Sequence, residues 1–274
     1  MDCYYINLES DKNRRNSIET SFEKNKIDNW SLIRYPAIDK NHVYENNISG
    51  SLSLGEKGCF LSHKKLIHSR RNNPDSFFIL EDDALFGKKS FKIIDKIIAS
   101  LNKKNWDILF TDICIPDVGK MMNLIKMRRT LSEKGQMEIM NLKNLAPFAG
   151  ATAYVLNGKS VKKLSDLLAI HKDLNTPYDL YLRNLICQSK ITAYVSFPFV
   201  TSLSVDSELS SIQSSDTSST ALIWNMFRKM IWLERDFDQY ATALEHINEH
   251  LCDEDSRSFA PILAAMVSKN FKSL

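Results

Sequence analysis

Glycine is scarce in this chain of 274 residues, which holds only 8. No G-x-G-x-x-G occurs, and Gly158-Lys159-Ser160 imitates the end of a Walker loop with Ala153 where the earlier glycine belongs. The backbone cradles of dinucleotide-binding and P-loop proteins are missing, so a nucleotide, if bound, is held some other way. Cysteines are few and scattered: Cys3, Cys59, Cys114, Cys187 and Cys252, with no C-x-x-C. That pattern excludes a zinc knuckle and a disulfide framework, and the thiols are read as reduced and mostly buried. Long apolar runs are lacking too. The longest, residues 77–80 and 260–267, fall far short of the roughly 20 residues that span a bilayer. Asp2 stands where a secretory leader carries Lys or Arg, and a cytoplasmic protein is expected.

The apolar content, 43%, and the charged content, 25%, are those of a chain that folds, which excludes disordered and collagenous classes. Charge is unevenly shared. Residues 201–274 carry 6 Lys/Arg against 11 Asp/Glu, and residues 1–200 carry 30 against 22. A basic body suits anionic ligands such as nucleotides, phosphorylated saccharides or a membrane surface, and lysines spread for solubility give the same count.

Through residue 200, short strand-like segments alternate with longer helix-like ones, the pattern of an α/β domain. Strands are expected at 3–8, 77–80, 106–110, 150–156 and 191–196, in a sheet of six or more. Helices are expected at 11–26, where Ile18 and Phe22 stand one turn apart, and at 58–71, 90–101, 158–170 and 177–188. Residues 201–220 hold 12 Ser or Thr and read as a loop or linker. Beyond them apolar residues recur at helical spacing in three groups: Trp224, Phe227, Ile231; Tyr240, Leu244, Ile247, Leu251; and Ile262, Met266, Val267.

The stretch with the most chemistry is 77–84, Phe-Phe-Ile-Leu-Glu-Asp-Asp-Ala. Four apolar residues make a buried strand, and Glu81, Asp82 and Asp83 follow where it leaves the sheet, the end at which α/β proteins bind ligands. Adjoining carboxylates raise one another's pKa unless a cation or basic groups offset them. On extended backbone Glu81 and Asp83 project to one side and Asp82 to the other. The outer two can therefore share a hard divalent ion, Mn²⁺ or Mg²⁺. The plainer reading is a turn with solvated acids.

Further motifs surround this one: Tyr5-Ile6-Asn7-Leu8-Glu9 with Arg14-Arg15; Gly55-Glu56-Lys57-Gly58-Cys59-Phe60-Leu61-Ser62-His63; Gly150-Ala151-Thr152-Ala153-Tyr154; and Pro177-Tyr178-Asp179. In order and spacing they resemble glycosyltransferase family 25 over residues 3–215. That family contains bacterial lipooligosaccharide galactosyltransferases and collagen galactosyltransferase domains. The resemblance implies an α/β fold: a single Rossmann-like, GT-A-type nucleotide-sugar domain at 1–205, a Ser-rich loop or lid at 206–220 and a helical C-terminal appendage at 221–274. It implies a metal-dependent inverting transfer of a hexose, usually galactose from UDP-galactose, to a terminal sugar of bacterial lipooligosaccharide or lipopolysaccharide. The cofactor would be Mn²⁺ or Mg²⁺, the donor a UDP-sugar and the acceptor a saccharide on a glycolipid, with no nucleic acid. Work at the cytoplasmic face would bring peripheral contact with the inner membrane. A non-catalytic nucleotide- or saccharide-binding protein on the same scaffold is the alternative.

Residue by residue, the resemblance makes Glu81 and Asp83 the metal ligands, Asp83 the more direct. Asn7, Arg14, Arg15, Ser62, His63, Asp82 and Ser211 become candidates for donor contact. For Arg14 and Arg15 the competing reading is a surface helix. For His63, on the helix face of Phe60 and Ile67, it is a buried structural histidine. Glu56 reads as a helix cap, and Cys59 as inert, with no base or basic cluster beside it. An inverting transfer needs a base for the acceptor hydroxyl. Asp179 is the first choice and Asp112 the second, with capping or turn formation the competing role for both.

Two departures and two decoys stand out. No histidine lies between His171 and His246, so the late histidine that closes the metal site in many glycosyltransferases of this fold has no counterpart. The third ligand is then Asp179, a Ser-rich-loop residue or water. Ser210-Ser211-Ile212-Gln213 resembles the family's late Ser-containing element and suits a lid over the donor. His246-Ile247-Asn248-Glu249-His250 fits H-x-x-E-H, but in an acidic amphipathic stretch it reads as solvated helix. Trp224, Phe227, Arg228, Lys229, Ile231 and Trp232 either pack onto the main domain or face a membrane.

Overall fold

The structure, a computed structural model, describes residues 1–145, 147–204 and 218–234. The chain opens with β1 (Asp2–Asn7), α1 (Lys12–Asn25), β2 (Ser31–Pro36), α2 (Lys40–Glu45), α3 (Leu54–Ser69) and β3 (Phe77–Glu81). Next come β4 (Ala84–Phe86), α4 (Ser90–Leu101), β5 (Ile108–Phe110), α5 (Val118–Glu133), β6 (Glu138–Asn141) and β7 (Ala153–Leu156). Then follow α6 (Val161–Ile170), α7 (Tyr178–Cys187), β8 (Ala193–Phe197), β9 (Thr201–Leu203) and α8 (Ser218–Ile231). Seven strands form one sheet in the order β2-β1-β3-β7-β5-β8-β6, and β4 pairs with β9. Within the large sheet β2, β1, β3, β5 and β8 run one way, while β7 and β6 oppose them.

Side chains alternate between the two faces of each strand, and the core divides accordingly. Tyr4, Ile6, Phe77 and Ile79 belong to the same cluster as Phe60 and Leu66 of α3 and Leu164 of α6. Cys3, Tyr5, Phe78 and Leu80 belong with Ile18 and Phe22 of α1 and Phe91 and Ile94 of α4. Apolar cover on both faces is why β3 reads as an unbroken apolar run.

Three local features place the functional end. α3 starts at Leu54, earlier than expected, because Ser53 and Glu56 cap each other: Ser53 Oγ accepts from the Glu56 amide, and Glu56 accepts from the Ser53 amide at 2.9 Å. Gly58 lets α3 press against the chain before α2, since a Cβ there would fall 2.4 Å from the Ile38 carbonyl oxygen. β7 begins at Ala153 rather than 150, because Gly150 turns the backbone at φ +87°.

α8 packs against α5 and β9. Met226, Phe227, Met230 and Ile231 join the α3-side core, and Trp232 is buried as well. Arg128 Nε and Nη2 donate to the Trp232 and Leu233 carbonyls at 2.8 and 3.0 Å. The membrane-facing reading of this segment is thereby corrected. Ser211, most of the Ser-rich segment, the later helical groups and the H-x-x-E-H match lie outside the described residues. Among the described residues no helix is long and apolar enough to cross a membrane.

Candidate active site

β1 and β3 are parallel neighbours in the register Ile6↔Glu81, so their C-terminal ends open on one edge of the sheet. Asn7 Nδ2 donates to Asp82 Oδ2 at 2.7 Å and to the Asp11 carbonyl at 3.1 Å. From the first turn of α1, Arg14 Nη2 stands 3.0 Å from Asp82 Oδ1 and 3.2 Å from Asp83 Oδ2. One guanidinium thus meets two of the three adjoining acids. It does not fully offset them. Burial raises the Asp82 pKa against Arg14 and Asn7. Asp83 is pushed up to about 7, by burial first, with Arg14 opposing and Glu81 reinforcing. Asp83 Oδ1 is buried and has no hydrogen-bond partner. Arg15 is not brought to this wall. Consecutive helical residues point about 100° apart, and Arg15 pairs with Glu19 at 3.0 Å on the helix surface.

The floor comes from α3. His63 is buried, with Nδ1 2.9 Å from the Tyr154 hydroxyl, which lies 2.7 Å from the Tyr178 hydroxyl. Its ring stacks on Tyr178 at 4.2 Å. His63 Nε2 is 3.5 Å from Glu81 Oε1, a charge contact and not a good hydrogen bond. Burial works to raise the Glu81 pKa, but His63, then Arg14 and Arg228, outweigh it and hold the carboxyl below its ordinary value. Ser62 donates to the Gly58 carbonyl at 2.7 Å and accepts from the Ile38 amide at 2.8 Å. Both ties are to backbone, so Ser62 braces the wall.

Across the cleft, Asp112 follows β5 and is completely buried. It ion-pairs with Arg228 Nη2 of α8, which also donates to Thr152 Oγ1 at 3.0 Å. Burial raises the Asp112 pKa against the pull of Arg228. So enclosed a carboxylate anchors Arg228, which argues against the base role weighed for it. Asp179 lies in the first turn of α7 behind Pro177, half-buried, and its Oδ2 accepts from the Gly150 amide at 2.7 Å. Cys59, Glu81, Asp83, Thr152, Tyr178, Asp179, Asn225 and Arg228 line one cleft of about 280 Å³. A smaller chamber of about 110 Å³ shares Cys59, Glu81 and Asp83 and reaches Arg14, Ser62, His63 and Asp82.

Residues 1–182 match glycosyltransferase family 25, the family described as LPS biosynthesis protein. The chain belongs to glycosyltransferase family 25. No curated protein matches it. Among solved structures, mouse xyloside xylosyltransferase 1 in its apo form is similar at 8% identity and a TM-score of 0.33. That likeness covers 70% of this chain and 63% of the other, under two thirds of its length, and is too slight to bear on fold or function.

The family 25 match takes in Asn7, Arg14, Glu81, Asp82, Asp83, Asp112 and Asp179, and stops short of Arg228. Arg228, Thr152, Asn225 and Cys59 line the cleft without a site role expected from sequence, where Cys59 reads as inert and Arg228 as part of the face that packs on the domain or meets a membrane. The one signal available for Arg228 was a basic pair, Arg228-Lys229, inside the otherwise apolar run 226–232.

Proposed function

We propose that this protein transfers a hexose, galactose from UDP-galactose, to a terminal sugar of bacterial lipooligosaccharide or lipopolysaccharide, as a metal-dependent inverting β-galactosyltransferase. The observation that carries this reading is the meeting of Glu81, Asp83 and Asp179 in one cleft at the sheet's C-terminal edge. A hard divalent ion, Mn²⁺ or Mg²⁺, fits Glu81 and Asp83. Asp83 Oδ1 is buried without a partner, and a cation relieves the burial that raises this carboxyl. When bound, such an ion supplies positive charge against a diphosphate leaving group.

The chain's own residues do the rest. Asn7, Arg14 and Asp82 form the wall that receives the nucleotide. Asp179 takes the proton of the acceptor hydroxyl as its oxygen attacks the anomeric carbon and the bond to UDP breaks. The Gly150 amide holds that carboxylate in orientation. Arg228, fixed by Asp112 and Thr152, sets positive charge near the departing diphosphate. In this reading residues 1–205 are the GT-A-type domain; of the lid assigned to 206–220 only 218–220 are described, and these open α8, the described start of the appendage assigned to 221–274, which brings Arg228 to the cleft. The glycolipid acceptor places the work at the cytoplasmic face of the inner membrane.

A thermal-shift panel of UDP-, GDP- and CMP-sugars with and without Mn²⁺, followed by product analysis, tests the reading. A ligand at 100 times its Kd adds about 2.7 kcal/mol, so UDP-galactose with Mn²⁺ is expected to stabilise most and to yield a β-galactoside. Free galactose in place of a glycoside, or stabilisation by no UDP-sugar, refutes it.

A further inference from the structure

We propose that Cys59, His63 and Glu81 form a binding site for a thiophilic divalent ion of the zinc class, with a fourth coordination position open to the cleft. Cys59 and His63 stand one turn apart on α3 and share a face, and Glu81 meets them from the end of β3. One ligand atom from each, the cysteine sulfur, a histidine nitrogen and a carboxylate oxygen, lie within 4.8 Å of one another. His63 Nε2 and Glu81 Oε1 are 3.5 Å apart. Two ligands roughly 2.1 Å from one ion at a tetrahedral angle stand roughly 3.4 Å apart, so this pair is already spaced for the metal.

His63 supplies a second, independent observation. Its side chain is 1% exposed, yet Nε2 has no hydrogen-bond partner, an uncommon state for a buried polar atom. The other ring nitrogen is engaged by Tyr154, which Tyr178 holds in turn, and stacking on Tyr178 fixes the ring plane. In the tautomer that donates Nδ1–H to the Tyr154 oxygen, the one a metal at Nε2 would select, the Nε2 lone pair turns toward Glu81. Such outer support is what orients a ligating histidine. A charge contact between His63 and Glu81 alone does not account for a thiol beside them that lines both chambers of the cleft.

The donor set selects the ion. Thiolate and imidazole suit zinc-class metals, whereas Mn²⁺ and Mg²⁺ favour all-oxygen sites. Three protein ligands and an open fourth position are the arrangement of an accessible zinc site. On binding, the Cys59 thiol releases its proton to solvent. The site shares Glu81 with the hard-ion reading above but does not depend on it.

Titration of the full chain with Co²⁺, a spectroscopic stand-in for Zn²⁺, tests the proposal. One equivalent is expected to bind with a thiolate-to-metal charge-transfer band, displaced by Zn²⁺, lost in Cys59→Ser and kept in Asp83→Asn. A melting curve checks that Cys59→Ser folds. Should it not, protection of wild-type Cys59 from alkylation by Zn²⁺, read peptide by peptide, gives the answer. Absence of the band from the wild type, its survival in Cys59→Ser, or absence of protection overturns the site. A cysteine-dependent band in a protein that transfers no sugar with any metal would leave this site standing and refute the proposed function.

Discussion

Arg14 and Arg228 approach the acids of one cleft from opposite walls. The Arg14 side chain is 18% exposed, and one of its partners, Asp82, has a second donor in Asn7. The Arg228 side chain is 6% exposed, its partner Asp112 is 0% exposed, and the two stand 116 residues apart in the chain. Solvent and a neighbouring amide temper the first pairing. The second is desolvated, so each charge depends on the other being there. Two cations in one cleft therefore have different duties: Arg14 adjusts the acidic turn after β3, and Arg228 fastens a whole helix.

The strongest way to break this comparison is to end the chain at residue 204. Met226, Phe227, Met230, Ile231 and Trp232 then lose their burial, a loss of several kcal/mol at about 25 cal/mol per Å², and Asp112 loses its cation. The expected product is insoluble and lacks a cooperative melt. A soluble, cooperatively melting chain of residues 1–204 would show that the second wall stands without α8.

Next in size is Arg228→Met, expected to destabilise by about 3–5 kcal/mol, the usual penalty for orphaning a buried charge. Arg14→Met should do less, because water reaches that wall. The two also differ in pH dependence. The Asp112 pKa, already raised by burial, rises further without Arg228. A carboxyl whose folded pKa is raised favours the fold when protonated, and that contribution is lost as pH rises through the folded value. Arg228→Met should therefore regain part of its stability at pH 5 relative to pH 8 in urea melts. An equal deficit at both would remove Asp112 from the account.

Asp179→Asn probes chemistry on the wall that Arg228 holds together. Turnover should fall by about 10²–10⁴, with the melting temperature and UDP-sugar binding little changed. Lost donor or Mn²⁺ binding in this variant would make Asp179 a ligand instead of a base. The smallest effect belongs to Arg15→Ala, one position from Arg14. Its pair with Glu19 is on the helix surface, and neither the melting curve nor the KM for donor should move. A raised KM would return Arg15 to the site.

What the sequence made legible was local. Four apolar residues followed by three acids announced β3 and the edge where it opens, and Glu56 reads as a helix cap, although the helix expected from 58 begins at Leu54. β4 and β9 span only three residues each, too few to show a period. β2 and β6 lie at the two edges of the sheet, where half-exposed residues replace the apolar run of a central strand. α5 was missed although Met121, Leu124 and Leu131 of one helix are buried, because basic residues crowd its intervening positions. Arg228 was legible only as an anomaly. A cation among Met226, Phe227, Met230 and Ile231 makes sense once its partner is known, and nothing in the local pattern points 116 residues back.

That separation also sets an order of assembly. During synthesis every strand of the large sheet is made before α8, so a nascent chain carries Asp112 at a site whose countercharge has not yet been translated. Until α8 docks, either Asp112 stays protonated or the sheet around β5 stays open to water. Limited proteolysis of ribosome-stalled chains, arrested before and after α8, should register docking as a sharp gain in protection between β5 and β7. A chain that ends before the helix carrying Arg228 is therefore expected to stay open to protease around β5, where the complete chain is closed.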